Sequence, residues 1–154
     1  MSKSEVIAAV EDTWRAFRDS FERLTTSDLE ISGVAGEWSI KDVVGHVAAW
    51  DLVLARALTT RELGPELSDR QVEAFNRQQS VRRAKKTVAE VLTELEEARR
   101  TLRDALQSTP DGAFTKGSDW RSRIDTYSVF HHQEHAAEIK IWIDRTNRGW
   151  RPAP

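Results

Sequence analysis

Three of the four histidines, His131, His132 and His135, fall within five positions of "YSVFHHQEHAAEIKIW", residues 127–142, and the fourth, His46, stands far upstream. Imidazoles bind divalent metals and exchange protons near neutral pH, so the first question is which of these rings share a direction. At about 100° per residue, His131, His135, Glu138 and Trp142 fall on a helical stripe about 60° wide, with Tyr127 on its edge. Phe130, Ala137 and Ile141 flank one side of that stripe and Ile139 and Ile143 the other, which places it in the middle of an apolar face. Upstream, Val43, His46, Trp50, Val53 and Ala57 advance by threes and fours, so His46 lies on the seam of a second helix. Residues four apart on a helix present both rings to one point. Three imidazoles from two facing helices make the ligand set of a mononuclear metal site in a bundle core, with positions left open for water or substrate. Nitrogen ligands without thiolate admit zinc, nickel, iron or manganese. His132, turned about 100° from His131, reads as a flanking residue and not a ligand. Glu138 has three chemical roles open to it, as hydrogen-bond partner of a ligand histidine, base toward bound water, or fourth ligand; a rim ion pair is the plain alternative.

Those rings need rigid elements to aim them. Ile7, Val10, Trp14, Phe17, Phe21 and Leu24 form one helical stripe, with Ser2 and Glu5 spaced to cap its start. A loop over "TTSDLEISGVAGE" leads to "WSIKDVVGHVAAWDLVLARAL", whose Ser39 and Asp42 form a second capping pattern. "DRQVEAFNRQQ" predicts a short helix, and Val88, Val91, Leu95, Ala98, Leu102 and Ala105 carry a third long stripe behind Thr87 and Glu90. "STPDGAFTKGSDW" reads as a loop, and the last helix is expected from Asp125 or Thr126 to the Asn147-Arg148-Gly149 stop. Four long amphipathic helices without strand alternation predict an all-α, antiparallel four-helix bundle with a short extra helix in the middle connection, a single domain over residues 1–154. Gly45 sits inside the second helix at a cost of about 1 kcal/mol against alanine, which implies close approach by a neighbour or ligand.

Composition narrows the partners. With 23 basic and 25 acidic residues the formal net charge is -2, which asks for neither nucleic acid nor an anionic membrane, and the cluster "RRAKK" at 82–86 reads as a solvated helix end. There is no cysteine, so any sulfur chemistry must use a thiol from outside the chain. The N-terminus carries acids where a signal peptide needs an apolar run, and no stretch has the length of a membrane span, so a cytoplasmic location is the expectation.

"GEWSIKDVVGHVAAWD", followed much later by "HHQEHAAEI", resembles the DinB-like superfamily of helical bundles, and "VEAFNRQQ" with "TVAEVLTELEEARRTLRDAL" is similar to its third-helix region. The likeness covers nearly the whole chain. It implies a divalent metal held by His46, His131 and His135, the same three that the helical wheel selects. It also implies relatives of which some act as thiol-dependent S-transferases, and a ClbS/DfsB-like branch that includes a member without the metal triad. Glu134 stands where many relatives carry another histidine, and "AAE" replaces their "RGQ" after the pair. The expected function is therefore metal-dependent transfer of a low-molecular-weight thiol to an electrophilic small molecule. Trp38, Trp50, Tyr127 and Trp142 are expected as cavity walls and Asn76 as a hydrogen-bond partner for substrate or a carboxylate. A hydrolase using metal-activated water, and a non-enzymatic ligand-binding or self-associating bundle with vestigial histidines, are the alternatives. Homodimers are common in such families, so a second copy is the one protein partner expected.

Overall fold

The computed structural model describes residues 1–148, and these form an all-α bundle without a strand among them. Its elements are α1 (Lys3–Asp19), a short α2 (Thr26–Leu29), α3 (Ile40–Thr60), α4 (Asp69–Arg83), α5 (Val88–Gln107), a 3₁₀ turn (Asp111–Phe114), and a final rod. That rod runs through α6 (Asp119–Ile124), a π-helical turn (Asp125–Val129) and α7 (Phe130–Thr146). Hydroxyl caps start the helices where the sequence places them: Ser2 with Glu5 and Ser39 with Asp42 close reciprocal capping boxes, and the Thr87 hydroxyl accepts from the Glu90 amide.

Three expectations need adjusting. The predicted short middle helix is the 15-residue α4. The last helix begins at Asp119, capped by Ser118, and not at Asp125 or Thr126. Asn147 ends it in the left-handed region at φ 55°, while Gly149 of the expected stop lies outside the described residues, as does the end of the 1–154 domain.

Apolar burial is divided between two clusters. One gathers Trp14, Phe17, Phe21, Ile40, Val47, Ala48, Leu95, Ala98, Ile139 and Trp142; the other gathers Val6, Val10, Leu54, Leu58, Leu102, Leu106, Phe114 and Ile124. α1, α3, α5 and the final rod each pass from one cluster to the other, so each of these four has a short stretch at their junction. α3 packs most extensively on α5, and it also touches α4 and α7, while α1 packs on α7 and α5. α4 differs from its neighbours in burying a single residue, Arg83. Arg83 fills the space that a Cβ at Gly45 would occupy, and its Nε donates to Glu94 Oε2 of α5 at 2.8 Å. Lys86 reaches the same carboxylate. Two residues of the "RRAKK" cluster thus anchor α4 and are not a solvated helix end.

Candidate metal centre

The structure brings His46 of α3 and His131 and His135 of α7 together at one point. His131 Nε2 lies 2.8 Å from His46 Nε2 and 3.0 Å from His135 Nε2. Those separations are within the roughly 4 Å that two metal–nitrogen bonds of about 2.0–2.1 Å can span. A neutral imidazole has one N–H and one lone pair. Whichever of the two His131 Nε2 presents, the other resides on Nδ1, which is buried without a hydrogen-bond partner among the described residues. Three ring nitrogens crowded tip to tip are short of protons to share, whereas a cation accepts three lone pairs at once. The donor set therefore fits a divalent metal.

Electrostatics keep those lone pairs available. Burial holds His46 down to about 3, with positive charge on His135 and Arg83 adding to the effect and a hydrogen bond with Asn76 opposing it. Burial likewise holds His131 down to about 2, reinforced by His135, His46 and His132. Both rings are thus neutral at pH 7. Behind His135, Nδ1 and Glu138 Oε2 are 2.9 Å apart; with Nδ1–H donating to the carboxylate oxygen, Nε2 keeps its lone pair. Of the three roles open to Glu138, this geometry is that of the hydrogen-bond partner of His135.

A cleft of about 320 Å³ opens onto the three rings, lined by Trp50, Val72, Asn76, Thr126, Tyr127 and Glu134 besides the histidines. Trp50 meets Tyr127 edge to face with centroids 5.0 Å apart, and its indole N–H donates to Asn76 Oδ1 at 2.8 Å. Trp50, Tyr127 and Asn76 thus line the cleft. The π turn that carries Tyr127 was not visible in the sequence pattern. Its Ser128 hydroxyl caps the Ile124 carbonyl at 2.6 Å, within the stretch where the regular α-helical ladder is broken.

Two expected walls are elsewhere. Trp142 is a core residue, 3 % exposed among the first apolar cluster. It shares the face of His131 and His135, but seven residues beyond His135 it stands about 10 Å farther along the axis, which a helical wheel does not display. Trp38 packs on His46, ring centroids 4.9 Å apart, and lines a small neighbouring pocket together with His46, Asn76 and Arg83. The buried face of α7 is also rotated from the expected one: Ser128, His132, His135, Ile139 and Trp142 are buried, while Phe130 and Ile141 are exposed. His131 and Glu138 therefore sit at the edge of the buried stripe and not at its centre, which is what opens the site to a cleft.

The family model of the DinB superfamily matches residues 9–139. The chain belongs to the DinB superfamily. Two solved structures share its fold. A crystal structure of an uncharacterised protein from Escherichia coli UTI89 is 15 % identical with a TM-score of 0.75, covering 95 % of each chain. The structure named sibling lethal factor precursor DfsB is 14 % identical with a TM-score of 0.77, covering 96 % of this chain and 98 % of the other. No curated protein matches. Among the described residues no helix is long and apolar enough to cross a membrane.

Proposed function

We propose that this DinB-superfamily bundle is a metal-dependent enzyme that transfers a low-molecular-weight thiol to an electrophilic small molecule. The observation that carries the proposal is the convergence of three Nε2 atoms on one point at the floor of an aromatic cleft. His46, His131 and His135 hold the ion, drawn from zinc, nickel, iron or manganese. When bound, such an ion supplies Lewis acidity, which lowers the pKa of a coordinated thiol or water. The protein's own part is positional. Depressed pKa values keep His46 and His131 unprotonated, and Glu138 fixes the tautomer of His135. Trp50 and Tyr127 offer an apolar wall that excludes water from one side of the substrate, and Asn76, its carbonyl engaged by Trp50, has amide N–H groups left to orient a polar substituent. The chain has no cysteine, so the thiol is a second substrate.

Glu134 favours a second reading. Glu134 lines the same cleft as His131 and His135, and a carboxylate there can serve as base toward either a thiol or a water. With water as the nucleophile the protein is a hydrolase. Metal-loaded protein assayed on electrophilic and ester substrates, with and without a panel of small thiols, separates the two. Turnover that depends on added thiol supports transfer; thiol-independent turnover supports hydrolysis; a metal-loaded protein inactive under both conditions contradicts each.

A further inference from the structure

His132 is next to His131 in the chain but belongs to a different structure. It is 0 % exposed, as is Asp51 of α3, and its Nε2 lies 2.9 and 3.1 Å from the two carboxylate oxygens of Asp51. Its Nδ1 lies 3.1 Å from the Thr13 hydroxyl of α1, which itself donates to the Val10 carbonyl at 3.1 Å. Burial pushes the Asp51 carboxyl upward and the pairing with His132 opposes it. No other hydrogen bond to Asp51 occurs among the described residues. The three residues form a polar layer at the junction of the two apolar clusters. On α1, Thr13 stands between Val10 and Trp14; on α3, Asp51 between Ala48 and Leu54; on the final rod, His132 between Ile124 and Ile139.

We infer that Thr13, His132 and Asp51 are positioning residues that set the register of α7 against α3, and through it the approach of His131 to His46. The inference rests on the metal reading above for its binding arm but not for its structural arm. The argument is geometric. α3 and α7 are joined by polar side chains at two places, His46 with His131 and Asp51 with His132. On α3 these attachment points are five residues apart, about 7 Å along the axis and about 140° around it. On α7 they are adjacent, about 100° apart. A single attachment leaves a helix free to rotate about it or slide; two, on different faces and at different heights, fix both motions. Thr13 adds a third helix, so His132 cannot turn about its own axis without breaking a part-buried hydrogen bond. An apolar layer would tolerate sliding by repacking, whereas a buried carboxylate with one partner does not.

The test must separate positioning from mere stability. Replacing both members of a buried pair with apolar residues of similar size is often neutral or stabilising, so Asp51→Leu combined with His132→Leu removes the register without leaving an orphaned charge. Thr13→Val removes one hydroxyl and serves as the mild variant should the double variant fail to fold. In metal-free wild-type protein, ring centroids 4.7 Å apart give NOEs between His46 and His131. Those NOEs are expected to disappear in the folded double variant and to weaken in Thr13→Val. In competition with a chromophoric chelator, cobalt(II) affinity is expected to fall roughly 10–100-fold in the double variant, with a changed visible spectrum. A double variant that is folded and retains both the NOEs and wild-type affinity overturns the inference, as does a Thr13→Val protein unchanged in both measurements. A wild-type protein that binds no metal refutes the metal reading alone, because the NOE comparison still decides the register.

Discussion

His131 and His132 are consecutive, yet they occupy opposite conditions. His132 has a protein partner on each nitrogen, a hydroxyl on one side and a carboxylate on the other. His131 has an Nδ1 with no partner among the described residues and an Nε2 facing two more ring nitrogens. The first ring is complete within the fold; the second is complete when something from outside joins it. What separates the two is about 100° of helix rotation. Burial by itself therefore does not distinguish a structural histidine from a ligand, and the state of its hydrogen bonds does.

Substitutions should sort the two rings by different measurements. The largest effect is on metal content: His46→Ala, His131→Ala and His135→Ala are each expected to remove most bound metal, read by elemental analysis, with little loss of metal-free stability. Equal loss of metal on His132→Ala would erase the contrast between the neighbours. His132→Ala should act first on folding, because it leaves the buried Asp51 carboxylate unpaired, a change that costs about 3–5 kcal/mol in comparable pairs and is read by urea titration. Gly45→Ala, one residue before His46, forces Arg83 out of the space it fills and should cost about 1–3 kcal/mol, with Arg83 losing its contact to Glu94. Glu138→Ala frees the tautomer of His135 and should weaken metal binding roughly 10–100-fold without the folding defect of His132→Ala.

Acidity offers a further probe of the ligand rings. Unfolded imidazoles protonate near the ordinary 6.5, whereas His46 and His131 in the fold do so only near about 3 and about 2. The unfolded state therefore binds more protons throughout that window. Metal-free protein should lose stability as the pH falls from 6.5 toward 3, by up to about 1.4 kcal/mol per pH unit for each ring. Urea midpoints that stay constant across that range, apart from what a His46→Ala, His131→Ala protein also shows, would mean that these rings titrate normally.

Much of this arrangement is legible in the residue pattern because helix period carries it. His46, His131 and His135 share directions that spacing alone dictates, and the caps at Ser2 and Ser39 mark where two of the long helices begin. Gly45 announced a close neighbour, though not that the neighbour is Arg83, thirty-eight residues on and outwardly part of a basic cluster. What spacing hides is height and phase. Trp142 shares a direction with His131 and His135 but not a level, and the π turn at Asp125–Val129, which carries Tyr127, breaks the period on which a wheel depends. The partnership of Asp51 with His132 was equally silent. An acid among the apolar residues of α3 signals an anomaly, but its partner is decided by how α7 packs.

The central claim is that the three converging imidazoles form one metal site. Metal content per folded chain, measured on protein prepared without chelator and again after dialysis against zinc, nickel, iron(II) and manganese(II), tests it most directly. About one ion per chain, lost in His131→Ala and retained at reduced affinity in His132→Ala, is the predicted result. A folded protein that holds no ion and takes up none of the four would contradict it.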